Sequence, residues 1–421
     1  MFKNVKFAIT LLLVVNTAAI NAKVIEQLTW KDCLKEAKQN NPDLISAKEK
    51  INQAVANKSI ARSDYLPELT SNLSGKSAKA ADHITTDTYS YDINVKQLLF
   101  DGFKTSYDIA SAAESIKSSQ YNYMITSSNV RLNLRTAFIA LLKSQQLLDI
   151  TKYLAARRKQ NLELVELRYK AGREHKGSLL NAEANFVKAK FDVTQAQRDI
   201  DLAQKELAKE LGRRESSPIR AKGEFKVKTL VNKTPNFVKL ANVNPLLLGL
   251  IVNMEAFRFN LKSAKADFFP KVYATASLGR NDSRWPPNNE AWSAEVDLSL
   301  PLFEGGSRVA QISKSRAELN QAQADLRSGN DYVVFTLERT WKELLDAIDK
   351  IEVEQKFLQT AKERARIAKA QYSTGLISFD DWSIIEDNLV TTEKSYLNVE
   401  ADALVSEANW IQAKGGTLDY V

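Results

Sequence analysis

The chain has 421 residues, 44% hydrophobic and 26% charged, which suits a folded protein and not a disordered or low-complexity one. With 14 Gly and 9 Pro it is poor in turn formers, and two histidines (His83, His175) and one cysteine (Cys33) leave no metal-ligand set, no disulfide framework and little for His-based catalysis. The net charge of +8 arises from 59 basic residues interleaved with 51 acidic ones, so the charges read as solvated helix faces, and neither an enzyme nor a nucleic-acid binder is expected.

Lys3 and Lys6 precede an apolar run over 7–15, and small residues follow to Ala19 and Ala22. A basic start, a short apolar stretch and a small-residue end describe a secretory signal peptide over 1–22, ending at Ala19 or Ala22. The run is shorter than the about 20 apolar residues of a spanning helix. Cys33 lies well downstream, in Trp30-Lys-Asp-Cys-Leu-Lys, so no lipid anchor is expected and the thiol reads as packed against a helix.

A helix is predicted over 42–65 and is broken by Pro67. Period-two alternation follows. Tyr89, Tyr91, Ile93 and Val95 form one face, and Ser90, Asp92, Asn94 and Lys96 the other. A weaker strand precedes it, across a polar loop over 76–88. No Gly or Pro then occurs between Gly102 and Gly172, which allows a helix roughly 100 Å long. Leu134, Leu141, Leu148, Ala155, Leu162 and Tyr169 recur every seven residues along it, as in a coiled coil. The chain reverses at Gly172, and a shorter helix returns with a seam of Ala182, Ala189, Ala196 and Ala203.

The same order then repeats. Asn41-Pro42, Tyr65-Leu-Pro67, Leu99-Phe-Asp-Gly102, Tyr169-Lys-Ala-Gly172 and Leu211-Gly212 recur as Asn244-Pro245, Phe268-Phe-Pro270, Leu302-Phe-Glu-Gly305, Tyr372-Ser-Thr-Gly375 and Lys414-Gly415, each 203 residues further on. The alternating strand recurs as Trp292, Ala294, Val296, Leu298 and Leu300 against Ser293, Glu295, Asp297 and Ser299, and the heptads as Leu337, Leu344, Ile351, Leu358, Ala365 and Tyr372. The expected organisation is a first structural repeat over 23–212, with a β-hairpin at 67–100 and a long helical hairpin at 102–212. A linker or equatorial region follows over 213–243. The second repeat spans 244–415, with a β-hairpin at 270–303 and a helical hairpin at 305–415, before a short tail over 416–421.

Four amphipathic strands cannot close a membrane barrel, because open edges fail in lipid and single-chain barrels start at about eight strands. Several chains must therefore contribute; three would supply twelve strands. Tyr91, Ile93, Val95, Ala294, Val296 and Leu298 are then expected to face lipid, and Asp92, Asn94, Glu295 and Asp297 the lumen. The fold class is mainly α with a membrane β-barrel, its long coiled-coil hairpins forming a helical barrel below. The alternative is a periplasmic structural or adaptor-like coiled-coil protein, which leaves the two alternating hairpins unexplained.

The signal peptide, the duplication, the junctions Gln97-Leu-Leu-Phe-Asp-Gly102 and Leu300-Pro-Leu-Phe-Glu-Gly-Gly306, and the two Tyr-x-x-Gly tips, in order and in register, resemble the TolC-like outer-membrane efflux proteins of Gram-negative bacteria over essentially the whole mature chain. The resemblance implies an outer-membrane homotrimer with a 12-stranded barrel and a periplasmic tunnel, serving efflux or type I secretion. It also implies a periplasmic adaptor protein and an inner-membrane transporter of RND or ABC type as partners, and no cofactor. Tyr372 matches a tyrosine that helps hold the family's periplasmic entrance shut. Asp381, with Asp380 beside it, matches a carboxylate ring, although two acidic residues at a helix start are also favourable by themselves. The family's arginine five residues after the tyrosine is Ile377 here, and its second aspartate is Ile384. Gly172, Gly375 and Leu376 match the tip turns that contact the adaptor. The transported substrate is not legible.

Overall fold

The computed structural model describes residues 26–79, 85–214, 218–227 and 234–420. The signal peptide expected over 1–22 and residues 80–84 of the loop expected over 76–88 lie outside the described residues; the rest of that expected loop, 76–79 and 85–88, is paired strand. The chain runs β1 (Glu26–Thr29), α1 (Trp30–Asn40), α2 (Pro42–Ser63), β2 (Glu68–Lys79), β3 (Thr85–Phe100), α3 (Lys104–Lys170) and α4 (Lys176–Glu210). It continues as β4 (Ile219–Lys222), α5 (Phe237–Ala241), α6 (Pro245–Ala266), β5 (Lys271–Asp282), β6 (Asn289–Ser299), α7 (Ser307–Thr374) and α8 (Phe379–Ala413).

The repeated landmarks turn out to be contacts. Asn41 caps α2, its side-chain oxygen accepting from the Asp43 and Leu44 amides at 3.0 and 3.3 Å, with Pro42 in the first helical position. Its amide nitrogen donates to the Glu210 carbonyl at the end of α4, 2.9 Å away. Asn244 does the same for α6, accepting from Leu246 N and donating to Ala413 O at the end of α8, both at 2.9 Å. The two asparagines thus clasp the start of α2 to the end of α4 and the start of α6 to the end of α8. Gly212 and Gly415 follow the clasped helix ends at φ +79°, and a Cβ on Gly212 would lie 2.2 Å from the Asn40 carbonyl oxygen. Both the backbone conformation and the close approach require glycine there.

α3 and α7 run 67 and 68 residues, about 100 Å each. Each leads from the sheet at one end to a tight turn at the other, where α4 and α8 return antiparallel. α6 packs on both long helices, α2 on α3, and α8 on α3 as well as α7. The main core lies at mid-length, where Leu134, Phe138 and Leu141 of α3 meet Leu207 of α4, Cys33 of α1 and Ile219 of β4. A second core packs Trp341 against Trp410, ring centroids 5.0 Å apart and planes tilted by 56°. Cys33 is fully buried, and burial pushes its thiol up to about 12, as a packed and inert cysteine requires.

Two further features depart from the sequence expectations. Six strands are present among the described residues, not four. β1 and β4 form a small parallel pair, Glu26 opposite Ile219 and Thr29 opposite Lys222, too short to register as alternation. The 213–243 region therefore carries structure of its own, β4 and α5. The heptads also part company. Leu337, Leu344, Ala365 and Tyr372 of α7 are buried, but on α3 the buried stripe passes from Leu148 to Leu154, Arg158, Asn161 and Val165, leaving Tyr169 38% exposed. An α-helix drifts about 20° per heptad against a strict seven-residue repeat, which over several heptads moves a residue off the seam.

Candidate functional site

Both hairpin tips are built by the same turn. Gly172 and Gly375 take φ of +68° and +85°, and the residue after each donates back across the turn, Arg173 N to Arg168 O and Leu376 N to Gln371 O, both at 2.8 Å. Leu376 stands 76% exposed at the apex of its tip.

Tyr372 lies behind that apex and is wholly buried. Its ring stacks on Trp382, centroids 4.4 Å apart and planes within 15°, and meets Phe379 edge-on at 6.1 Å. The Arg168 guanidinium covers the ring at 4.6 Å and donates to the Tyr372 carbonyl at 2.6 Å. The hydroxyl donates to Glu174 Oε2 at 2.9 Å. Burial, with the Glu174 carboxylate beside it, pushes this hydroxyl above the ordinary phenol range, so it stays a donor at any physiological pH. Arg168 and Glu174 flank the tip of the α3–α4 hairpin, whereas Tyr372, Phe379 and Trp382 belong to the α7–α8 hairpin. One tyrosine therefore ties the two hairpins of a chain together.

Ile377, which the sequence resemblance sets against an arginine, is half-buried in the apolar cluster of Val165, Ala368, Tyr372 and Trp382. The cation comes instead from the other hairpin, as Arg168. Neither Arg168, Glu174 nor Trp382 stands out in the sequence, because each contact joins segments with no shared local pattern. Asp380 and Asp381 are exposed. Asp381 is engaged in capping α8: the Ser378 hydroxyl donates to its Oδ2 at 2.7 Å while Ser378 Oγ accepts from its amide at 3.1 Å.

At the opposite end, the sheet runs β2-β3-β5-β6 with every neighbour antiparallel. Its register carries one face across all four strands. Val95 opposes Leu69 and Ala276, and Ala276 opposes Ala294; Ile93 opposes Leu278, which opposes Trp292. Tyr91, Ile93, Val95, Ala294, Val296 and Leu298 thus share a face on which Trp292, Val296 and Leu298 are each more than two-thirds exposed. Asp92, Asn94, Glu295 and Asp297 share the other, where Asp92 accepts from Asn72 at 3.0 Å and also from Asn94, and Ser74 bonds Ser90 at 2.8 Å. An exposed apolar sheet face of this extent suits lipid better than water. Among the described residues no helix is long and apolar enough to cross a membrane.

The profile of the family "Outer membrane efflux protein" matches residues 33–213 and 238–416. The chain is 22% identical over 421 residues to the outer membrane efflux protein BepC of Brucella suis biovar 1 (strain 1330), covering 98% of this chain and 91% of that one. Its fold is similar to the crystal structures of CusC, with a TM-score of 0.83 at 19% identity over 92% of both chains. It is also similar to that of the Campylobacter jejuni CmeC outer membrane channel, with a TM-score of 0.81 at 18% identity over 91% of this chain and 85% of that one.

Proposed function

The chain belongs to the outer membrane efflux protein family, the TolC-like channels of the Gram-negative outer membrane, and from that premise we propose that three copies close a 12-stranded barrel above a periplasmic helical tunnel. The observation that carries the proposal is the sheet, whose four strands end in two unpaired edges, β2 and β6, beneath one continuous apolar face. Open edges are untenable in lipid, where each unpaired backbone group costs several kcal/mol. Joining β6 of one copy to β2 of the next removes them.

In this reading Tyr91, Ile93, Val95, Ala294, Val296 and Leu298 face the outer-membrane lipid, and substrates leave the tunnel along the polar face, outward across the membrane. The tips form the periplasmic entrance. Tyr372, held by Arg168 and Glu174, keeps α7 and α8 against α3, and the entrance widens when that hold is broken. Asp380 and Asp381, repeated in each copy, set a negative field at the entrance that favours cations. Gly172, Gly375 and Leu376 form the ring of turns that meets a periplasmic adaptor, which links the tunnel to an inner-membrane transporter of RND or ABC type.

Chemical cross-linking of the mature protein in mild detergent tests the assembly. A trimer that dissociates only on heating is the expected outcome. A protein that cross-links no further than dimers would remove the closure argument.

A further inference from the structure

α8 carries glutamates at 386, 393, 400 and 407, one every seven residues. Seven-residue spacing returns a side chain to the same face of a helix. Glu386 and Glu407 are nearly inaccessible, and the Glu393 side chain is 13% exposed. Buried carboxylates persist where cations meet them. Glu407 lies in the field of Arg131 and Arg135 of α3. Glu386 and Glu393 share a single guanidinium. Arg157 of α3 places Nε 3.1 Å from Glu386 Oε2 and Nη1 3.8 Å from Glu393 Oε1. Its side chain is 12% exposed, and its guanidinium lies 5.7 Å from the Tyr153 ring centroid. The adjacent Arg158 pairs with Asp387, so two consecutive residues of α3 grip two consecutive residues of α8. Thirteen helical residues carry α3 from Arg157 to its end at Lys170, about 20 Å along the axis.

We infer that Arg157 is a positioning residue for the gate: it clamps α8 to α3 through Glu386 and Glu393, well above the tip, so that full parting of the two hairpins requires release of this clamp as well as of the tip lock. The inference rests on the reading of the tips as a gate, but it involves none of the residues of the tip lock.

The clamp holds two carboxylates with one guanidinium in a seam where none of the three side chains is more than 13% exposed. Arg157 Nε and Nη2, Glu386 Oε2 and Glu393 Oε2 are buried without a hydrogen-bond partner, so the guanidinium holds both carboxylates by charge and not by hydrogen bonds. Burial pushes the Glu393 carboxyl up, against the opposing pull of Arg157 and of Lys362 on α7, and with a smaller push from Glu386. Asp149 of α3, Arg366 and Lys369 of α7, and Glu400 of α8 line the same groove, about 730 Å³ in volume. Parting the hairpins returns Glu393 to water and to its ordinary proton affinity. The clamped state therefore binds the proton more tightly, and linkage gives the sign: falling pH favours the clamped, closed channel and rising pH favours opening.

Planar-bilayer recording of the full-length mature protein tests this with wild type, Glu393→Gln, Arg157→Lys and Tyr372→Phe. Wild-type current is expected to fall about threefold from about pH 8 to about pH 5. Glu393→Gln, nearly isosteric and still folded by its helical circular dichroism, should lose most of that fall, the remainder coming from Glu400, whose carboxyl burial also pushes up. Arg157→Lys keeps the charge and loses the forked reach, so it should raise the current at about pH 8 by several-fold. Tyr372→Phe should raise the current while keeping the wild-type pH slope. A wild-type pH slope that survives unchanged in Glu393→Gln, in channels that conduct, overturns the clamp and leaves the channel reading intact. Failure of the wild type to conduct under any condition overturns the channel reading itself.

Discussion

At position 372 the ring, the hydroxyl and the backbone carbonyl each answer to a different partner. The stack on Trp382 lies within one hairpin, whereas the bonds to Glu174 and from Arg168 cross to the other. Tyr372→Phe therefore cuts one cross-hairpin bond and spares the packing, while Tyr372→Ala also removes a buried aromatic ring, a loss of about 3–5 kcal/mol in a packed core. Leak current through the closed channel is expected to rise from wild type to Tyr372→Phe to Tyr372→Ala. Asp380→Asn/Asp381→Asn should raise it less than Tyr372→Ala, because Asp381 is committed to Ser378 and the hairpins stay joined. The double variant should instead lose cation selectivity and block by multivalent cations from the periplasmic side. Recordings in which it leaks more than Tyr372→Ala would move the constriction to the carboxylates; unchanged selectivity would leave these aspartates as helix-start residues only.

Among elements, the clasps matter most, since each holds the two ends of a half about 170 residues apart along the chain. Asn41 and Asn244 are buried, and both sides of their amides are used. Aspartate at either position preserves the capping oxygen and loses the donor to the Glu210 or Ala413 carbonyl, leaving a carboxylate against a carbonyl oxygen. Asn41→Asp and Asn244→Asp should each cost about 1–3 kcal/mol. Alanine should add the loss of the cap, about 1 kcal/mol more. Because the two clasps share no partners, their costs should add in the double variant. Thermal unfolding followed by helical circular dichroism checks the order; an Asn41→Asp midpoint equal to wild type would mean the cross-bond contributes nothing.

For the molecule as a whole, the decisive quantity is the sidedness of the sheet. Val296 and Asp297 are neighbours in β6 and point to opposite faces. Val296→Arg should cost about 2–4 kcal/mol if it meets the bilayer midplane, and should impair folding into liposomes. Asp297→Arg should fold normally and shift ion selectivity toward anions. Measuring refolding yield and reversal potential for both variants separates the two faces. A folding defect confined to Asp297→Arg would show that the lumen and lipid sides are interchanged.

Alternation in β3 and β6, the proline stops, the glycine turns and the run free of breakers from 103 to 171 are all legible in the sequence, because they follow from backbone geometry with periods near 2 and 3.6 and from residues that cannot continue a helix. The asparagine–proline and leucine–glycine landmarks were visible as repeats, but that Asn41 touches the end of α4 was not. Nor was the pairing of β3 with β5, the short β1–β4 ladder, or the supply of the tip's cation by Arg168. Tyr169 and Tyr372 show why. They occupy the same place in the two repeats, yet one is exposed and the other wholly buried. Local pattern fixes which side chains share a face of an element. Which face meets which neighbour depends on the rotation accumulated along a helix of about 100 Å, a few degrees per residue against the seven-residue repeat, and only the packed tertiary structure decides where that rotation ends.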